Sequence, residues 1–91
     1  MEGDAASAGG QRIVVVDDDS LFRETLAFNL TDAGFSVTDF GDGAQALEYL
    51  LGEGECDLVL LDWRMPGLSG IQVLTHLQEA GFGAPVIFLT V

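Results

Sequence analysis

Two apolar runs of this sequence each end in carboxylates, which are candidate ligands for a cation. Residues 13–16 form a β-branched run that is followed by Asp17 and Asp18, and the apolar run that starts at residue 58 ends in Asp62. Crowded carboxylates repel one another unless a cation neutralises them. Because their oxygens are hard ligands, Mg²⁺ that keeps several of its waters is the cation that this set favours. A third run ends in Thr90, whose hydroxyl could bond a phosphoryl oxygen.

The elements that must position these side chains alternate between strand and helix patterns. We predict strands over residues 13–16, 35–40, 58–62 and 86–89, and helices over residues 20–33, 44–51 and 71–79. This β-α-β-α-β-α-β order indicates an α/β fold with a parallel sheet and right-handed crossovers. If the strand order is 2-1-3-4, the first and third strands are neighbours and their carboxylates share one pocket. We predict that strand 58–62 is buried on both faces and that strand 35–40 is an edge strand.

Each predicted helix has an apolar face and end signals. Ser20 is a fair N-cap for the first helix, which Asp19 also favours and Gly34 ends. The predicted inward positions are Phe22, Leu26, Asn29 or Leu30 and Ala33 in the first helix, Leu47, Leu50 and Leu51 in the second, and Ile71, Leu74 and Leu77 in the third.

Composition limits the class of protein. The 91 residues allow one small domain, predicted over 12–91 after a disordered leader over 1–11. The net charge is −12, with three arginines and no lysine, so direct nucleic-acid contact is not expected. A lone cysteine, Cys56, is interpreted as a half-buried residue of a reducing compartment. The sequence has no signal peptide and no membrane-spanning apolar run, which predicts a cytoplasmic location without membrane contact.

Three motifs in register, VVDDDS, LVLLDWRMPGLSG and VIFLT, closely resemble the receiver domain of two-component response regulators. The resemblance runs from about Arg12 to Thr90. It implies a flavodoxin-like doubly wound sheet of order 2-1-3-4(-5), with the fifth strand and the last two helices absent from this chain. It also implies a phosphoacceptor that is not itself an enzyme, although phosphoryl transfer and autodephosphorylation are self-catalysed.

The resemblance also implies residue roles and partners. Asp62 resembles the phosphoacceptor, and Thr90 the switch residue that contacts the phosphoryl group. Asp18 matches a direct Mg²⁺ ligand, Asp17 a ligand through water, and Arg64 a ligand through its backbone carbonyl. The implied donor is a histidine kinase or phosphotransfer protein, and the output is unknown, with a DNA-binding domain C-terminal to this segment as one expectation. The family's phosphoryl-pairing lysine has no counterpart here.

Two other functions compete with this interpretation. The segment VVVDDDS loosely fits haloacid dehalogenase-like phosphatases, with Asp17 as nucleophile and Asp19 as acid, but this leaves Asp62 unexplained. Alternatively, the chain is a receiver-like interaction module that acts without phosphorylation.

Other residues receive non-catalytic predictions. Asp19 is expected to cap a helix, because Asp17 and Asp18 match the family's acidic pair. Trp63 is expected to pack beside the site, and His76 to be an exposed or rim residue of the third helix. Residues 86–91 form an uncharged run at the predicted sheet edge, so we expect either that the chain is a piece of a longer protein or that it associates, most simply as a homodimer.

Overall fold

The computed structural model describes residues 10–52 and 55–89. Its elements are strand β1 (Arg12–Val16), helix α1 (Ser20–Asp32), β2 (Ser36–Phe40), α2 (Gly43–Leu51), β3 (Leu58–Asp62), α3 (Gly70–Glu79) and β4 (Val86–Leu89). All strand pairs are parallel, and the strand order in the sheet is β2-β1-β3-β4. The predicted fold class and strand order are therefore confirmed, as is the place of β2 at a sheet edge. The leader predicted over residues 1–11 falls mostly on residues 1–9, which lie outside the described residues.

The register of the sheet places the ends of β1 and β3 side by side. Val16 of β1 pairs with Leu61 of β3, so the next residue of each chain segment, Asp17 and Asp62, lies at the same edge. In the sheet, β2 lies on one side of β1 and β3 lies on its other side. The carboxyl ends of β1 and β3 therefore flank the point where the strand order reverses.

One face of the sheet carries the main hydrophobic core. Helices α2 and α3 pack on this face against alternate residues of the strands. The core residues are Val14, Val16, Ala46, Leu50, Val59, Leu61, Met65, Val73 and Leu77, each with less than a tenth of its surface exposed. Burial of this set supplies the main apolar stabilisation of the fold.

Helix α1 lies on the opposite face, over β2 and β1. None of its residues is buried, and Phe28 keeps 70% of its surface exposed. Strand β3 is fully buried only on the core face. Its other face, with Leu58 and Leu60, is half-buried, so the prediction of burial on both faces holds for one face alone.

Several predicted helix details are wrong. Ser20 is the first helical residue of α1 and not its N-cap; the N-cap is Asp19, which was expected to be a cap and whose carboxylate accepts a hydrogen bond from the backbone N–H of Phe22 at 3.1 Å. Leu51 and Ile71 are exposed, because α2 buries Ala46 and Leu50 while α3 buries Val73 and Leu77. In both α2 and α3, the sequence contains more apolar residues than the contact with the sheet can bury. The buried faces of α2 and α3 are therefore rotated relative to the predicted ones, since Ala46 and Val73 were not among the predicted positions.

The C-terminal end of α1 and the N-terminal end of α3 carry residues that commonly end or begin a helix. Gly34 follows α1 with φ of 105°, a left-handed conformation that favours glycine. Helix α3 begins with a capping box, in which the Ser69 hydroxyl accepts from the N–H of Gln72 and the Gln72 side chain accepts from the N–H of Ser69. In the described part of the chain, none of the helices is long and apolar enough to cross a membrane.

Candidate functional site

Three carboxylates meet at the carboxyl edge of the sheet. Asp17, Asp18 and Asp62 each offer one oxygen, and these oxygens all lie within 4.8 Å of one another. Asp17 is buried, Asp62 is half-buried and Asp18 is exposed. The cluster therefore has a fixed inner wall and an open outer side, a geometry that admits a hydrated cation.

Asp17 is the most restrained member of the cluster. Only 6% of its surface is exposed. Its backbone N–H donates to the carbonyl of Phe40 at 3.1 Å, and its Oδ1 accepts from the backbone N–H of Asp19 at 2.9 Å. These bonds occupy one carboxylate oxygen and leave the other for a ligand.

The surroundings of Asp62 disfavour the ionised form of its carboxyl group. Burial raises the pKa of Asp62 above its ordinary value, and the neighbouring carboxylates of Asp17 and Asp18 raise it further. The backbone N–H of Arg64, which donates to Asp62 Oδ1 at 3.3 Å, works in the other direction and lowers this pKa. A cation in the cluster would reverse the repulsion, because it stabilises the charged form of each carboxylate.

The carboxylates line an open cavity of about 780 Å³. Its other lining residues are Asp19, Phe22, Trp63, Arg64 and Leu89. Trp63 is 44% exposed and meets the ring of Phe88 edge-on, with centroids 5.1 Å apart. Trp63 thus lies beside the site, as predicted.

Sequence reasoning missed the roles of Phe22 and Leu89 in the cavity wall. Phe22 was placed on the inward face of α1 by its helical spacing, yet it lies in the first turn, and the first turn of a helix that follows β1 borders the strand end. That position in the β-turn-α unit was the available signal. Leu89 is the last residue of β4 and pairs with Asp62 of the neighbouring strand β3.

The remaining predicted residues divide into three groups. Arg64 lines the cavity, and the ligand role of its carbonyl stays a prediction. Asp19 caps α1. Thr90, and Val91 after it, lie outside the described residues. Away from the site, His76 is exposed and Cys56 is half-buried, as predicted, and burial raises the pKa of the Cys56 thiol.

Sequence comparison connects this geometry to known proteins. The family model described as "Response regulator receiver domain" matches residues 13–91. The "Transcriptional regulatory protein DltR" of Streptococcus agalactiae is 46% identical over 79 residues, which are 87% of this chain and 35% of that protein. The "DNA-binding response regulator MtrA" of Mycobacterium tuberculosis is 46% identical over 80 residues, which are 88% of this chain and 34% of that protein. The chain thus spans about a third of the length of these relatives.

Solved structures agree with the sequence match. The Francisella response regulator 1452 receiver domain superposes with a TM-score of 0.81 at 30% identity, covering 87% of this chain and 64% of that one. The response regulator TrrA of Thermotoga maritima, solved in complex with Mg(2+)-BeF, gives a TM-score of 0.81 at 38% identity, covering 88% and 69%.

Proposed function

The chain belongs to the response regulator receiver domain family, and from this premise we propose that Asp62 accepts a phosphoryl group from a histidine kinase or phosphotransfer protein. The single observation that carries the proposal is the meeting of the Asp17, Asp18 and Asp62 carboxylates in one open cavity. The phosphorylated protein then changes the surface that an output partner reads.

The three carboxylates fit a divalent cation. Their oxygens lie close enough to share one ion. Burial raises the pKa of Asp62, the carboxylates of Asp17 and Asp18 raise it further, and a cation would relieve that repulsion. We propose that Asp17, Asp18, Asp62 and the backbone carbonyl of Arg64 hold Mg²⁺. When bound, Mg²⁺ supplies positive charge to the carboxylates and to the oxygens of the transferred phosphoryl group.

The phosphoryl transfer itself needs few protein groups. A carboxylate oxygen of Asp62 attacks phosphorus, the bond from phosphorus to the donor's imidazole nitrogen breaks, and the electron pair stays on that nitrogen. The product is an acyl phosphate on Asp62, which water later hydrolyses. Because such transition states depend on positioning and charge stabilisation, the fixed position of Asp62 at the strand end is what the fold contributes. Thr90 is proposed to contact the phosphoryl oxygens.

The helix cap argues against the phosphatase alternative. That mechanism needs the Asp19 side chain as a free acid, but its carboxylate accepts from the N–H of Phe22 and caps α1. It would also need Asp17 as an accessible nucleophile, although Asp17 is the buried member of the cluster. Asp62 at the open side is the better placed nucleophile.

The output of this segment is proposed from its relatives. The matched proteins are described as a transcriptional regulatory protein and a DNA-binding response regulator, and this chain spans about a third of each. We propose that phosphorylation of Asp62 controls a DNA-binding segment in the cytoplasm. The chain's own charge of −12 argues that such a segment, rather than this domain, contacts the DNA.

Treatment with acetyl phosphate in Mg²⁺, followed by intact-mass measurement, tests the site. We expect one added phosphoryl group on the wild-type protein and on Asp32→Asn, an exposed carboxylate-to-amide control in the last turn of α1. Asp62→Asn should take up none. Label that persists in Asp62→Asn and is lost in Asp17→Ala would favour the phosphatase, and no label on any protein would favour the passive module.

A further inference from the structure

Arg23 contacts the backbone of Asp17 from behind the carboxylate cluster. Its Nη1 donates to the carbonyl oxygen of Asp17 at 2.8 Å, and its Nε donates to Asp39 Oδ2 at 2.8 Å. We propose that Arg23 is a positioning residue that holds Asp17 in place for cation binding. This inference rests on the proposed function, because it assumes that Asp17 is a cation ligand.

The two bonds of Arg23 join three elements. Arg23 belongs to α1, Asp39 to β2, and Asp17 follows β1. The Arg23 side chain is largely buried, with 16% of its surface exposed, whereas the side chain of Arg12, which is also ion-paired, has 49% exposed. Different nitrogens of one rigid fork serve the two acceptors, so the position of Asp39 fixes the direction from which Arg23 approaches Asp17.

The contact completes the restraint of Asp17. The backbone N–H of Asp17 is bonded to Phe40, its Oδ1 to the N–H of Asp19, and its carbonyl to Arg23. With both backbone polar groups and one side-chain oxygen occupied, the remaining oxygen has a set direction. Outer residues that orient a metal ligand in this way commonly contribute about tenfold or more to metal affinity.

Charge alone predicts the opposite effect. Arg23 is a cation beside an acidic cluster, so by Coulomb repulsion it disfavours a second cation there. Its removal should then tighten Mg²⁺ binding if only its charge matters. If Arg23 acts by positioning Asp17, its removal should weaken Mg²⁺ binding. The direction of the change therefore separates the two roles.

Gly41 provides a second way to disturb the same contact without changing any charge. A Cβ atom built at Gly41 would lie 2.6 Å from Arg23 Nη1, the nitrogen that bonds to Asp17. The Gly41→Ala side chain should therefore push the guanidinium away from the Asp17 carbonyl. No left-handed backbone conformation is required at Gly41, so alanine adds only this steric effect.

The test is a Mg²⁺ titration of the protein followed by Trp63 fluorescence, with urea unfolding of each variant alongside. We expect Arg23→Met, which keeps the apolar stem, to weaken Mg²⁺ binding about tenfold. Gly41→Ala should weaken it in the same direction. Arg23→Lys should recover only part of the loss, because one ammonium cannot serve both acceptors in the geometry of the fork.

Arg12→Met is the matched control. It removes the same charge and the ion pairs with Glu55 and Asp57 at the opposite end of β1, so we expect Mg²⁺ affinity within about twofold of wild type. Unchanged or tighter Mg²⁺ binding in folded Arg23→Met would overturn the inference. If Arg23→Met does not fold, wild-type affinity in Gly41→Ala overturns it. Wild-type protein that gives no saturable response, or Asp18→Ala that responds normally, would instead refute the proposed metal site and this inference with it.

Discussion

The two faces of the sheet differ in how far burial extends from β1 toward β4. On the core face, Val14 and its partner Val59 are both fully buried. On the α1 face, Val15 is fully buried, its partner Leu60 is half-buried, and Ile87 next along the row is 52% exposed. Neighbouring residues of the same strands thus meet different surroundings.

The difference follows from the helices. Two helices, α2 and α3, cover the core face, whereas among the described residues α1 is the helix on the other face and it lies over β2 and β1. Stability is therefore concentrated between the sheet and α2 and α3. The carboxylate cluster lies at the edge where both faces end, so it is anchored by the buried strands β1 and β3 while it remains open to ligands.

The largest expected effect comes from truncating the core face. Leu61→Ala removes a side chain with no exposed surface and should lower the free energy of unfolding by about 2–5 kcal/mol. Leu60→Ala, the same change one residue earlier on the α1 face, should cost about 1–2 kcal/mol, because Leu60 is only half-buried. Urea unfolding of both variants measures the difference. Equal losses would show that the faces contribute equally.

A second prediction concerns the contact between α3 and the end of β3. A Cβ at Gly70 would overlap the carbonyl oxygen of Asp62 and crowd the Cα of Trp63 at 3.1 Å. We expect Gly70→Ala to destabilise the fold by about 1–3 kcal/mol and to shift the Trp63 emission, since the backbone at the site must move. Gly83→Ala is the control, because nothing lies within 4 Å of its Cβ position. A Gly70→Ala protein with wild-type stability and emission would contradict this tight contact.

The sequence predicted the strands better than the helix faces, and the reason is physical. Runs such as residues 13–16 are apolar throughout, so their assignment to a buried strand does not depend on which face is covered. Helix positions such as Leu51 and Ile71 have the same residue types as buried ones, and only the path of the neighbouring elements decides which are covered. The helix and strand propensities of the residues carry no information about the path of those neighbouring elements.

The candidate site likewise has a part that could be predicted from the sequence and a part that could not. The acids at the strand ends were predictable, because parallel strands in this order bring their carboxyl ends together. The restraint of Asp17 by Arg23 was not, since it depends on α1 and β2 meeting behind the cluster. Residues that act through other residues leave no local pattern in the sequence.

The third prediction uses the pKa of Asp62. Burial raises this pKa in the folded protein above its ordinary value, so between the two values the folded state binds the proton more strongly than the unfolded state does. Stability in the absence of divalent cations should therefore fall as pH rises through this window and remain lower above it. Asp62→Asn cannot ionise and should be more stable than wild type near about pH 7, but not near about pH 3.

Urea unfolding at both pH values in chelator checks this prediction. Mg²⁺ should then narrow the difference at neutral pH, because it favours the ionised wild-type cluster. A constant difference between Asp62→Asn and wild type at both pH values would mean that ionisation of Asp62 carries no penalty in the folded state.

The smallest effect on stability is expected at the exposed end of the α1 face. Ile87 is 52% exposed on β4, so Ile87→Ser should change the free energy of unfolding by no more than about 0.5–1 kcal/mol.

The same substitution should change self-association of the protein more than it changes its stability. Apolar side chains along an edge strand favour pairing with another chain, and the homodimer expected from the sequence would use this edge or face. Sedimentation of wild type and Ile87→Ser at equal concentration checks both parts: we expect a smaller associated fraction in the variant, with its unfolding midpoint nearly unchanged. A wild-type protein that sediments as a monomer at micromolar concentration would refute the association, and a large loss of stability in Ile87→Ser would show that this end of the α1 face is buried after all.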